Sequence, residues 1–155
     1  MNLMYYGRVS FHRKLDGLFT FLPFTVHSVI RTSLRTSDVV LDVGCGPHSP
    51  LARHRVRFKL GIEIYGPYAK EAIRSRTHDE VLLLDCCEAR FPEASFDVVV
   101  ALDIVEHLAK TKGLELIESM KRWARRLVIL TVPNGYTSGH MFDNNPFQTH
   151  RSAWS

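Results

Sequence analysis

Val39-Val40-Leu41-Asp42-Val43-Gly44-Cys45-Gly46-Pro47 is an apolar, largely β-branched run that meets an acid and then Gly-x-Gly. A strand covered on both faces reads as such a continuous apolar run, and the two glycines permit backbone angles and close approach that a side chain would forbid. Asp42 then falls near the carboxyl end of a strand, where open α/β sheets bind ligands. The stretch reads as a ligand cradle, and alone it does not say which ligand.

Working outward, similar apolar runs recur at Phe58–Ile64, Val81–Asp85, Phe96–Leu102 and Leu127–Val132. Helical stretches are expected between them, at Tyr68–Arg76 and at Lys112–Arg125, where Leu114, Ile117, Met120 and Ala124 recur at three- and four-residue steps. Strand and helix in alternation predict an α/β fold with a parallel sheet. The 155 residues, 45% of them hydrophobic, suffice for one globular core. The organisation expected is a helical lead-in over 1–37, broken at Pro23, a ligand-binding domain over 38–136, and a loop-like tail over 137–155. The lead-in aromatics Tyr5, Tyr6, Phe11, Phe19, Phe21 and Phe24 are expected to pack on the main body.

Lys and Arg exceed Asp and Glu by 20 to 16, a mildly basic balance that hints weakly at RNA or an acidic membrane surface. The basic residues cluster in Arg53–Lys59 and in Lys121–Arg126. The 3 cysteines, Cys45, Cys86 and Cys87, form neither a disulfide framework nor a spaced metal site, so a reducing cytoplasm is expected. No apolar run approaches the ~18 residues that span a bilayer. Gly17–Val26 imitates a signal peptide, but Asp16, His27 and the missing small-x-small cleavage site argue against one.

Glu63 ends the second strand nineteen residues after Gly44, where a carboxylate accepts hydrogen bonds from both hydroxyls of an adenosine ribose. A dinucleotide fingerprint would place a third glycine where this chain has Ser49, so pyrophosphate binding, and with it a nicotinamide oxidoreductase, is disfavoured. Adenosine attached to an amino acid fits what remains.

At this point the chain resembles the class I S-adenosylmethionine-dependent methyltransferases, of the type 11 subgroup whose fourth motif ends in Glu-His-Leu. The resemblance rests on Leu41-Asp42-Val43-Gly44-Cys45-Gly46, Gly61-Ile62-Glu63-Ile64, Asp85 with Phe91-Pro92-Glu93-Ala94-Ser95-Phe96-Asp97, and Asp103-Ile104-Val105-Glu106-His107-Leu108. It implies a Rossmann-like, doubly wound, mostly parallel sheet with helices on both faces and strand order 3-2-1-4-5. It also implies a loop of Asp42, Gly44, Cys45 and Gly46 around the methionine part of S-adenosyl-L-methionine, with Glu63 on the ribose. Ile64 would flank the adenine, Asp85 and Cys86 would lie beside its amino group, and backbone carbonyls at Leu102 and Asp103 would receive the ammonium. Asp42 has a second reading, as a residue that orders the loop. Asp97 is read as structural.

His107 keeps three readings: a general base beside the methyl acceptor, a packing residue at a helix start, or part of a metal site with Asp103 and Glu106. Asp103 and His107, four apart, are expected on one face of a helical turn. No metal is expected, because a catalytic site needs three well-placed ligands and the other histidines are unspaced. Methyl transfer from an activated sulfonium asks the protein mainly for positioning, so the lack of a catalytic triad does not exclude an enzyme. The acceptor expected is a small molecule; the alternatives are an RNA-directed methyltransferase and a non-catalytic or truncated S-adenosylmethionine- or adenosine-binding module. Val132-Pro133-Asn134-Gly135-Tyr136 and the tail behind it would border the acceptor.

The family's last two strands have no counterpart after Val132, which suggests a fragment or a shortened variant. An open fifth-strand edge would then invite self-association.

Overall fold

Six parallel strands make one sheet in the computed structural model, which describes residues 2–7, 25–133 and 143–154. They are β1 (Asn2–Gly7), β2 (Val39–Val43), β3 (Phe58–Glu63), β4 (Glu80–Leu83), β5 (Phe96–Leu102) and β6 (Ala124–Val132), in the spatial order β1-β6-β5-β2-β3-β4. Leaving β1 aside, this is the expected 3-2-1-4-5 order. The chain leaves β2 toward β3 on one side and returns through β5 on the other, so the carboxyl ends of β2 and β5 flank the crevice at which such sheets bind ligands.

Alternate residues of the central strands feed two separate cores. On one face Val40, Val98, Val100, Leu127 and Ile129 pack against Val29 and Ile30 of α1 (Val26–Ser33). On the other, Leu41, Val43, Val99, Ala101, Val128 and Leu130 pack against Leu116, Met120 and Trp123 of α3 (Lys110–Trp123). Both faces are covered, which is why the strands read as unbroken apolar runs. A third helix, α2 (Gly66–Arg74), buries Ala69 and Ala72 beside β3 and β4.

Three expectations are corrected. Asn2–Gly7 is a strand, not part of a helical lead-in; among the described residues of that segment the helix is Val26–Ser33. Its Met-Tyr-Tyr core has strand propensity, and it pairs in parallel with β6, Tyr5 opposite Leu130 and Tyr6 opposite Thr131. The edge of β6 expected to stay open is therefore occupied by the chain itself, which removes the premise for a homo-oligomer through that strand. The buried stripe of α3 is Gly113, Leu116, Met120 and Trp123; of the predicted stripe Met120 is buried, Ile117 is half-buried, Ala124 is buried as the first residue of β6, and Leu114 is 50% exposed. That face packs on the sheet, and Trp154 joins it: a Cβ on Gly113 would lie 2.5 Å from its ring, so only glycine lets the tail's indole seat there. Phe11, Phe19, Phe21, Phe24 and the Asn134–Tyr136 turn lie outside the described residues.

The basic runs are partly consumed by the fold. Arg126 reaches Asp38 at 2.5 Å and the Ser33 carbonyl at 3.2 Å, while Arg125 pairs with Asp97. Asp97 also accepts from the Val39 amide at 2.9 Å, which agrees with its structural reading. No helix among the described residues is long and apolar enough to cross a membrane.

Candidate cofactor and acceptor site

Beyond Val43 the chain turns through Gly44 (φ +67°) and Gly46 (φ +60°), both in the left-handed region that favours glycine. The Gly44 and Cys45 amides donate to the Ile62 carbonyl at 2.8 and 3.1 Å, tying the loop to β3. At Gly44 an added Cβ would lie 2.2 Å from Ile104 Cδ1, so this glycine also lets the segment after β5 close over the loop. Gly46 has open space where its Cβ would be.

Glu63, at the carboxyl end of β3, is 6% exposed and spans the mouth of the loop. One carboxylate oxygen accepts from the Gly46 amide at 3.0 Å and the other from the Tyr65 amide at 2.8 Å. Burial pushes its pKa up; the Tyr65, Gly46 and Ile64 amides pull it down, and the Asp42 carboxylate adds to the rise. An acid kept at a sheet's ligand edge against its own desolvation marks a functional-site candidate.

Asp42 is 2% exposed and is held by side chains rather than by backbone amides. Its Oδ2 accepts from the Ser49 hydroxyl at 2.5 Å and lies 3.0 Å from His78 Nε2. Ser49 in turn accepts from the Leu51 amide at 3.1 Å, capping a short 3-10 turn at Pro50–Arg53. The residue that stands in place of a third glycine thus ties the loop to the acid at its base. His78 escaped sequence analysis, being a lone histidine in a connection, 36 positions from its partner. Gly61 is the one local signal: a Cβ there would press on Cys45 Sγ at 2.8 Å and on the His78 ring at 3.2 Å. Cys45 is buried under the loop, where burial first and then the Asp42 and Glu63 carboxylates raise its thiol pKa.

Past β4, Asp85 Oδ1 accepts from the Cys87 amide at 2.8 Å, shaping the turn that carries Cys86. The Cys86 thiol is raised by its hydrogen bond with Cys87 and then by burial, and the same bond lowers Cys87.

Past β5, Asp103 has a left-handed backbone (φ +55°), and its amide donates to the Thr131 carbonyl at 3.0 Å. The Thr131 hydroxyl returns a bond to the Asp103 carboxylate at 3.1 Å. The 3-10 turn comprises only Val105–His107, so Asp103 and His107 do not share a helical face as expected; the left-handed residue breaks the chain direction first. A strained non-glycine backbone at a ligand edge is a pointer to function.

The tail lies across this edge. The Tyr68 hydroxyl donates to Asp143 at 3.0 Å, and the Arg151 and Ser152 amides donate to the Glu106 carbonyl at 2.7 and 3.1 Å. Trp154 is buried, its indole N–H donating to Ser152 at 2.8 Å and its ring lying 3.5 Å from the Lys110 ammonium. His150 is thereby placed beside His107, with ring centroids 4.8 Å apart. Burial holds the His107 pKa below its ordinary range, and the Thr149 carbonyl, 3.4 Å from Nδ1, acts in the opposite sense.

Sheet order, switch point and glycine loop together define a class I S-adenosylmethionine-methyltransferase-like fold with five strands of the usual seven, and β1 added at the edge. The methyltransferase domain family matches residues 41–132, and the chain belongs to it. S-Adenosylmethionine is the cofactor that goes with this family. No curated protein matches the chain by sequence.

Among solved structures, the chain is similar in fold to a phosphoethanolamine N-methyltransferase of Haemonchus contortus in complex with phosphoethanolamine and S-adenosylhomocysteine. The identity is 19% and the TM-score 0.60, over 83% of this chain and 29% of that one. It is similar also to the magnesium protoporphyrin IX methyltransferase of Synechocystis PCC 6803 with bound S-adenosylmethionine (21%, TM-score 0.55, 74% and 55%). A methyltransferase from Methanosarcina mazei is similar too (19%, 0.54, 63% and 52%). The chain thus spans between 29% and 55% of the length of these structures.

Proposed function

We propose that this chain is an S-adenosylmethionine-dependent methyltransferase that acts on a small-molecule acceptor. The observation that supports it best is the convergence of the Gly44–Gly46 loop and the buried Glu63 carboxylate at the sheet's switch point, with Gly46 N and Glu63 Oε2 3.0 Å apart. When bound, the cofactor supplies an electrophilic methyl group on its sulfonium. The chain's part would be to hold and orient it: Glu63 would accept from the ribose hydroxyls, Asp85, Cys86 and Ile64 would border the adenine, and Asp42, Gly44, Cys45 and Gly46 would cradle the methionine part. Leu102 and Asp103 would offer carbonyls to the ammonium.

The tail's passage over the ligand edge supports an acceptor side built from the Val105–His107 turn and the Asp143–Trp154 segment, whose closure would exclude water. His107, half-buried beside His150, would then border the acceptor. Phosphoethanolamine and magnesium protoporphyrin in the names of two similar structures favour a small acceptor. A second reading is a cofactor-binding module without catalysis, which needs only the Gly44–Gly46 loop and Glu63.

Calorimetric titration with S-adenosylmethionine, S-adenosylhomocysteine and NAD tests the proposal. Preference for NAD overturns both readings. Tight S-adenosylhomocysteine binding with no methyl transfer to any acceptor tried favours the module.

A further inference from the structure

We infer that Glu106, His107 and His150 form a site for a divalent first-row transition metal ion such as zinc. One ligand atom from each lies within 4.8 Å of the other two. Two imidazoles and one carboxylate are a donor set used by catalytic zinc sites, which leave a fourth position to water or substrate. Donors on a tetrahedral zinc at ~2.1 Å stand roughly 3.4 Å apart, so side-chain rotations of about 1 Å complete the set.

Three further features fit a built site rather than a chance meeting. Glu106 is 2% exposed, an unusual burial for a glutamate. Its backbone carbonyl receives the Arg151 and Ser152 amides at 2.7 and 3.1 Å, and Trp154 locks the same segment onto α3, so the position of His150 relative to Glu106 is fixed by main-chain bonds. The bond at 3.4 Å runs from His107 Nδ1–H to the Thr149 carbonyl, which only accepts; this leaves Nε2 as the lone-pair nitrogen, the tautomer that a backbone carbonyl commonly imposes on metal-binding histidines. Asp103 lies near enough to act on His107 electrostatically and adds negative potential.

The other candidate group, Asp85, Cys86 and Cys87, comes from three consecutive residues whose thiols already bond to each other. The site follows β5 at the sheet's ligand edge, so its open position faces the region assigned to the acceptor. That last role rests on the methyltransferase reading; metal binding does not, and it is measured without cofactor.

The test is titration of the full chain, stripped with chelator, with Zn²⁺ and with Co²⁺ by calorimetry and absorption. One equivalent should bind, the Co²⁺ spectrum should lack a thiolate charge-transfer band, and affinity should fall at least tenfold in His150→Ala and in Glu106→Gln but not in Cys86→Ser. Paramagnetic broadening of the His107 and His150 ring protons by Mn²⁺ in the unaltered chain checks the site even where a variant misfolds. No stoichiometric binding, a thiolate band, binding indifferent to His150→Ala, or rings left sharp by Mn²⁺ each overturns the assignment.

Discussion

His78 Nε2 lies 3.0 Å from Asp42 Oδ2, with 0% and 3% of the two side chains exposed. The pair ties the connection before β4 to the base of the glycine loop, and Ser49 closes it from the other side at 2.5 Å. Removing one member of a buried pair strands the other. His78→Ala should therefore destabilise the fold by about 3 kcal/mol in urea unfolding, whereas Ser49→Ala, which leaves the histidine in place, should cost about 1 kcal/mol. A His78→Ala effect below that of Ser49→Ala would show that the pair does not hold the loop.

Glu63 ties the glycine loop to the end of β3 at the edge where the cofactor is proposed to bind. Its folded-state pKa is raised, chiefly by burial, so the stability linked to it is fully present below the unfolded pKa and is lost as pH rises through the folded one. Glu63→Gln should abolish that loss, so the stability difference, variant minus wild type, should grow more favourable to the variant as pH climbs out of the acid range. The same change should weaken S-adenosylmethionine binding by roughly 1.5–3 kcal/mol, since hydrogen bonds to a charged acceptor are lost. Denaturant curves and calorimetry against pH read both arms, and a pH-independent stability difference would sink the first.

The two loop glycines should separate by sterics. Both substitutions to alanine incur a left-handed penalty of ~1–2 kcal/mol, but only Gly44→Ala meets Ile104, at 2.2 Å. Gly44→Ala should be the more destabilising, and Ile104→Ala in the same chain should restore part of the loss. If the two glycine variants melted together, the contact with Ile104 would carry no weight.

Much of this was legible in sequence because the features are local. Apolar runs located β2 through β6, the acid after a strand marked Glu63, and Gly-x-Gly anticipated two positive φ angles. What escaped depends on residues distant in the chain. The indole seated on Gly113 of α3 comes from the tail, the partner of Asp42 is 36 positions away, and the histidine beside His107 also comes from the tail. Helical period alone spreads Leu114 and Leu116 over neighbouring faces, and the sheet core against which Leu116 packs, with the indole seated on Gly113, distinguishes them. Asp103 shows the limit differently: its left-handed backbone is imposed by bonds to Thr131 on the adjacent strand.

The Trp154 anchor should be separable from the core. Trp154→Ala removes a buried indole, and substitutions of that size cost ~3–5 kcal/mol where the whole fold feels them. Here the loss should fall on the tail, so amide exchange at Arg151 and Ser152, whose N–H groups bond to the Glu106 carbonyl, should accelerate while β2 and β5 amides stay protected. Gly113→Ala should give the same pattern by displacing the ring. Exchange rising equally in the sheet would mean that the tail is part of the core's cooperative unit.

The three thiols should react in an order set by their surroundings. Cys87 is half-buried and its pKa is lowered by the hydrogen bond from Cys86; Cys86 is raised by that bond and by burial; Cys45 is raised by burial and by the Asp42 and Glu63 carboxylates. The thiolate is the reactive form, so a lowered pKa gives a larger reactive fraction at neutral pH. Iodoacetamide at neutral pH should therefore modify Cys87 first, with Cys86 and Cys45 following only at higher pH or on unfolding. Once Cys87 is alkylated its thiolate no longer opposes ionisation of Cys86, so the second modification should be faster than in a chain where Cys87 is intact. Peptide mass mapping against time and pH gives the order directly, and early labelling of Cys45 would mean that the glycine loop opens far more often than its bonds to Ile62 and Glu63 allow.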